Sequence, residues 1–174
     1  FTGIGRVVHT VCLRCGLYIL QQHTGLHTQS LCGFIIPQDF VHTLHGQHNT
    51  AIHRNTAAHL AGTRVYVTTN VVIKQQEMPA ALALVKRAWE LGADAFIIQD
   101  WGLFAEVRRL WPEVECHVST QANVHDARGV AWCGELGATR VTLSRELSLP
   151  EMAACAATGV ECETFAHGAI CFCY

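Results

Sequence analysis

The sequence predicts an α/β fold, an incomplete TIM-like (β/α) barrel of parallel strands, and three observations carry that expectation. Between Arg64 and Ala166, five short runs rich in apolar and β-branched residues are separated by four amphipathic segments. These units repeat at intervals of about 20 to 30 residues, the rhythm of parallel βα crossovers. The glycine fingerprint of a dinucleotide-binding sheet is missing, because Gly3-Ile-Gly5 has neither a third glycine nor a preceding strand. That moves the choice from an open doubly wound sheet to a barrel.

Arg64-Val-Tyr-Val-Thr-Thr-Asn70 alternates aromatic and β-branched residues and reads as the first strand of the regular part. From Glu77 to Leu91 the spacing puts Ala81, Leu82, Val85, Ala88 and Trp89 on one helical face and Lys86, Arg87 and Glu90 away from it, with Gly92 as the C-cap. Ala95 to Asp100 is a buried strand. The helix after it points Leu103, Phe104, Val107, Leu110 and Trp111 inward and stops at Pro112. Cys116 to Gln121 is the next strand and Asp126 to Leu136 the next helix, closed by Gly137. Arg140 to Arg145 follows as a strand; Ser148-x-x-Glu151 is a capping box for a helix ending at Gly159, and Glu161 to Ala166 is the last strand.

Residues 1–60 differ in kind. Asp39 is the only carboxylate before Glu77, while eight of the eleven histidines crowd into the same stretch. Periodicity is poor there, with at most a strand over Gly16–Leu20 and a short helix over Ile52–Leu60. The segment is expected to be frame-shifted against the rest, with a junction near Ala58, or poorly ordered. Cys12-x-x-Cys15 and the triplet His42, His45, His48 resemble metal ligands, but a zinc ribbon needs a second close thiol pair and only Cys32 follows. Of the nine cysteines, Cys116, Cys133, Cys155 and Cys162 sit singly among apolar residues and read as small hydrophobes. Only Cys171 and Cys173, beyond the last strand, are placed for ligation.

The formal charge of -2 weighs against a general electrostatic grip on nucleic acid or membrane. No run approaches the roughly 20 apolar residues of a membrane span. A cytoplasmic protein is the expectation.

In a barrel the C-terminal ends of the strands meet at one mouth. Those ends are Asn70, Asp100, Gln121, Arg145 with Glu146, and His167. Polar residues ending apolar strands suggest a polar pocket, since burying each without partners costs roughly 1 to 3 kcal/mol. Asn70 and Asp100 also suit turn capping, and Arg145 and Glu146 also suit pairing with each other or with neighbouring strand ends as a structural network. Ser119-Thr-Gln121 suggests inward hydrogen bonding. Neither Ser119 with His167 nor Cys171 with His167 forms a legible nucleophile–base motif.

Glu163-Thr-Phe165-Ala-His167-Gly168-Ala-Ile-Cys171 resembles the signature of the collagenase-like peptidase family U32. The likeness extends through Val65-Tyr-Val-Thr-Thr-Asn70, Gln99-Asp100-x-Gly102, Ser119-Thr-Gln121 and Leu143-Ser-Arg-Glu-Leu-Ser148, from about Ala61 to Tyr174. The resemblance implies a TIM-like barrel belonging to a longer protein. It implies a peptidase by family name, or an iron–sulfur dependent hydroxylation factor for tRNA, rRNA or a ubiquinone precursor, or a scaffold that needs a partner subunit of the same family. Peptide, RNA and quinone precursor are the corresponding substrates. It also implies Cys171 as the first thiolate of a [4Fe-4S] cluster in the parent protein, with no cluster expected in this stretch alone. Glu163 and His167 are motif members whose roles the pattern does not assign. The expected site is therefore Asp100, Gln121, Arg145, Glu146, Glu163 and His167 for catalysis, Asn70, Ser119 and Gln121 for substrate, and Cys171 for metal.

Overall fold

The computed structural model describes residues 8–12, 18–21 and 56–165, the first two segments as backbone alone. The elements in chain order are β1 (Val8–Cys12), β2 (Tyr18–Gln21), β3 (Arg64–Thr69), α1 (Met78–Glu90), β4 (Ala95–Ile98), α2 (Trp101–Leu110), β5 (Cys116–Val118), α3 (Ala127–Glu135), β6 (Arg140–Thr142), α4 (Leu149–Ala156) and β7 (Glu161–Glu163). Residues 56–60 form a helical turn before β3. The strand–helix alternation after Arg64 is the one the residue pattern predicts. The chain divides into two compact units, Phe1–Thr69 with Ala83–Phe96 and Asn70–Leu82 with Ile97–Tyr174.

In the first unit, β1 pairs antiparallel with β2 and parallel with β3, with His9 beside Val65 and Val11 beside Val67. The strand β1 is not signalled in the sequence, and β2 lies one to two residues beyond the Gly16–Leu20 estimate. At the start of β3, one carboxylate oxygen of Asp94 accepts the Val65 N–H at 2.6 Å and the His59 Nε2–H at 2.8 Å. The Asp94 N–H donates to the Val65 carbonyl at 2.8 Å. Asp94 therefore fixes where β3 begins. Tyr66 is buried, and the Arg64 guanidinium stands over its ring at 5.1 Å.

In the second unit the strand order is the latter half of β4, then β5, β6 and β7. Parallel registers set His117 beside Arg140, Arg140 beside Glu161, and Thr142 beside Glu163. Because side chains alternate across a strand, His117, Arg140, Thr142, Glu161 and Glu163 share one face. Cys116, Val118, Val141 and Cys162 take the other. Cys116, Val118 and Val141 are fully buried, as are Val107 of α2, Val130 and Cys133 of α3, and Cys155 of α4. Burial pushes the Cys116 and Cys133 thiols up to about 11, so both behave as the small hydrophobes expected of them. Cys162 is only half-buried, and its thiol donates to the Val160 carbonyl.

Helix ends follow the capping grammar. Asp126 accepts the Gly129 N–H at 2.7 Å, and Glu151 accepts both the N–H and the hydroxyl of Ser148, the expected capping box. Gly92, Gly137 and Gly159 all have positive φ after their helices. At Gly137 space as well as φ demands glycine, since a Cβ would fall 2.8 Å from Arg108 Nε. That guanidinium is held by the carbonyls of Pro112 and Val114 at 2.6 and 2.9 Å. Leu110, expected to face inward, is 41% exposed; it continues the stripe of Leu103, Phe104 and Val107 but is the last residue of α2, where the buried part of that stripe has ended.

On the polar face, His117 is 1% exposed and its Nε2 lies 2.8 Å from Glu115 Oε1. Arg140 bridges Glu161 at 2.7 Å and Glu163 at 3.5 Å. Burial lowers the His117 pKa below the ordinary 6.5, against the smaller opposing pull of Glu115. A depressed histidine value means that the unfolded chain takes up this proton first, so stability is full above about pH 6.5 and falls as pH drops below it. Denaturant midpoints measured from pH 7.5 to 5.5 are expected to fall, with this residue adding a slope of up to about 1.4 kcal/mol per pH unit. His117→Gln should have a flatter profile over that window; parallel profiles would remove His117 from the account.

Candidate functional site at the strand ends

The C-terminal ends of β4, β5, β6 and β7 belong to the second unit, as does Asn70 after β3. Asp100 is the N-cap of α2. Its Oδ1 accepts the Leu103 N–H at 2.8 Å and its Oδ2 accepts the Ile73 N–H at 2.9 Å. Both oxygens are thus engaged with backbone, and the carboxylate ties the loop after β3 to the start of α2. Gly102 keeps this corner tight, since a Cβ there would meet Asp100 Oδ1 at 3.1 Å. Of the two roles the residue pattern allows, the structure supports the cap. The Oδ1 of Asn70 is sheltered and has no hydrogen-bond partner among the described residues.

After β5 the chain departs from expectation. The strand ends at Val118, and Thr120–Ala122 is a 3-10 turn capped by Ser119, whose Oγ accepts the Gln121 N–H at 3.2 Å. Gln121, predicted to extend the strand and bond inward, is exposed. Ser119 at 1% and Thr120 at 5% are the buried members of that polar run. The Thr120 hydroxyl donates to the Leu143 carbonyl at 3.2 Å, and the Ser144 N–H donates to the Val124 carbonyl at 3.2 Å. Two bonds therefore stitch the loops that follow β5 and β6.

Sequence reasoning overlooked two residues here. His125 places Nδ1 2.9 Å from the Asn123 carbonyl and Nε2 4.0 Å from the Glu146 carboxylate. Asn123 adopts a left-handed conformation, φ 59°, which turns that carbonyl toward the ring. Ser144 is 1% exposed, and its hydroxyl has no hydrogen-bond partner among the described residues. A signal for Ser144 existed in the alternation Arg140, Thr142, Ser144; His125 had none.

Arg145 and Glu146 go separate ways. The carboxylate of Glu146 is next to His125, while the Arg145 guanidinium stacks over the Phe165 ring at 5.1 Å. Glu163 joins the Arg140 ion-pair group on the polar strand face. The structure brings Ser119, Arg145 and Glu146 to neighbouring strand ends and gives Asp100 and Glu163 structural partners. His167 and Cys171 lie outside the described residues, as do Cys15, His42, His45 and His48. Among the described residues no three histidine, cysteine or acidic side chains are gathered to hold a metal ion, and Cys116, Cys133 and Cys155 are buried thiols.

Replacing Asp100 with alanine leaves the Leu103 and Ile73 N–H groups unmet. A loss of about 1 to 2 kcal/mol is expected, read as a lower urea midpoint with unchanged cooperativity. An unaltered midpoint would mean that the carboxylate does not hold this corner.

The chain is 38% identical over 119 residues to the tRNA hydroxylation protein P of Escherichia coli (strain K12), an alignment covering 67% of this chain and 26% of the relative. It is 33% identical over 118 residues to the 23S rRNA 5-hydroxycytidine C2501 synthase of the same organism, covering 67% and 18%. The chain thus spans about a quarter or less of the length of these relatives. Among solved structures, the U32 peptidase Mk0906 superposes with a TM-score of 0.56 at 20% identity, over 66% of this chain and 50% of that one. This supports the α/β architecture of an incomplete TIM-like barrel. The model of peptidase family U32 matches residues 48–174, beginning upstream of the motifs that first suggested it, and the chain belongs to that family.

Proposed function

We propose that the protein carrying this chain hydroxylates RNA, with the strand ends around Ser119, Arg145 and Glu146 forming part of its substrate site. The observation that carries this reading is the likeness to relatives named as tRNA and 23S rRNA hydroxylation proteins. The local geometry is in keeping with it. Ser119 Oγ accepts a backbone N–H and Asp100 caps a helix with both oxygens, so these two side chains have structural duties rather than a nucleophile–base arrangement. Peptide hydrolysis is the second reading, favoured by the family description and by the solved U32 peptidase.

A [4Fe-4S] cluster would supply one-electron chemistry to such a reaction, and it demands thiolates. The cysteines whose side chains are described do not fit it: Cys116, Cys133 and Cys155 are buried, Cys162 is half-buried with its thiol on the Val160 carbonyl, burial raises the pKa of all four, and no three metal-ligating side chains gather among the described residues. Cys171 is the ligand we propose in this chain, on its place in the family signature, and no step of the reading is routed through the metal. The described helices include none long and apolar enough to cross a membrane, and a cytoplasmic site of action is part of the proposal because that is where these RNA substrates reside.

The test is genetic and chemical. Deleting the gene and digesting total tRNA and rRNA to nucleosides should remove a nucleoside one oxygen heavier than its parent, restored by the wild-type copy. Identical nucleoside profiles with and without the gene, together with peptide cleavage by the purified protein, would transfer the assignment to the peptidase reading.

A further inference from the structure

Resting on the reading of RNA as the substrate, we infer that the exposed ring of Trp132, with Arg128 one turn before it on α3, is a stacking platform for a nucleotide that flanks the one at the strand ends. Three observations carry the inference. First, Trp132 is 48% exposed and is the only aromatic among the large apolar side chains left open to solvent in the described residues. Its ring is nonetheless supported. It lies 5.0 Å from the ring of half-buried Trp101, tilted by 60°, and Trp101 meets the buried Phe104 edge-on at 5.9 Å. This ladder of rings runs from the core to the surface, so Trp132 is presented as a braced flat ring rather than a loose side chain. Such a ring stacks with any base, because every base has a π face.

Second, Arg128 is exposed and has neither an ion pair nor a hydrogen bond among the described residues, whereas Arg87, Arg109 and Arg140 each pair with a glutamate. Four residues apart on one helix, Arg128 and Trp132 share a face. An unmatched cation beside a supported ring complements the phosphate and the base of a single nucleotide. Leu136, 39% exposed, extends the apolar surface away from the strand ends, so a second protein molecule is the rival occupant that the test separates. Third, the platform adjoins the proposed substrate site. Trp101 directly follows Asp100 at the end of β4, and α3 leaves the loop that carries Ser119 and His125. Trp132 lies about 9 Å along the helix from the cap Asp126, within reach of a flanking nucleotide. With a formal charge of -2 the chain lacks a general electrostatic hold on RNA, and stacking supplies what charge does not.

Binding rather than turnover tests this, so that its failure is distinct from failure of the hydroxylation reading, which nucleoside profiles decide. The full-length protein is titrated with a fluorescein-labelled single-stranded oligouridylate at several salt concentrations. Trp132→Ala is expected to weaken binding about tenfold, and Trp132→Phe, which keeps a ring, by less. Arg128→Gln should weaken it about three- to fivefold and make the slope of log affinity against log salt shallower by about 0.7, a change that a merely structural arginine would not cause. An oligomer carrying thiouridine should photo-crosslink to the peptide that contains Trp132. Trp132→Ala and Arg128→Gln proteins that melt and bind the oligomer like wild type would overturn the inference, as would a wild-type protein that does not bind it. A lower sedimentation mass for Trp132→Ala with RNA binding intact would also overturn it, giving this face to a second protein molecule.

Discussion

The alternation of side chains along β5, β6 and β7 is the constraint on which the second unit depends. Parallel register places His117 beside Arg140 and Arg140 beside Glu161, so one face of the sheet gathers charge and hydroxyl groups. The residues between them, Cys116, Val118 and Val141, are buried on the other face. A slip of one residue in any strand would turn that strand's charged members into the apolar layer. The ion pairs of Arg140 with Glu161 and Glu163 reinforce the register, though the exposure of Glu161 keeps their direct contribution small.

The strand ends proposed as a substrate site lie at the end of that division. Toward the C-terminal ends of β5 and β6 the buried side chains include the hydroxyls of Ser119, Thr142 and Ser144, and Arg145 follows in the chain. The loops there are tied by local hydrogen bonds. Asp100 binds two backbone N–H groups, Thr120 and Ser144 stitch the loops after β5 and β6, and Asn123 accepts a left-handed conformation that aims its carbonyl at His125. A binding surface built on such strand ends is held by backbone contacts rather than by long flexible side chains, as positioning a substrate requires.

Much of this was legible in the residues. Regular strand–helix spacing, glycine C-caps and the Ser148–Glu151 box located the elements after Arg64 because those signals act over three or four neighbouring residues. Strand β1 escaped, since its partner β3 lies some fifty residues away and short strands depend on such distant pairing. Gln121 was misplaced because Ser119 can either extend a strand or cap a turn, and only the bond to the Gln121 N–H decides between them. Leu110 was misjudged by the same limit, an apolar side chain at the frayed edge of a helical stripe. For Arg145 and Glu146 the residue pattern left open pairing with each other or with neighbouring strand ends, and contacts with Phe165 and His125, set by tertiary packing, favour the second.

The most direct test of the two-faced sheet is thiol reactivity in the native protein, resolved residue by residue by mass spectrometry after brief alkylation near pH 8. Cys116, Cys133 and Cys155 are fully buried, and burial holds the first two at about 11. They should remain unmodified until denaturant is added, whereas half-buried Cys162 should react at an intermediate rate. Rapid native labelling of Cys116 together with Cys133 would contradict the account, because the face assigned to the apolar layer would then be open to water.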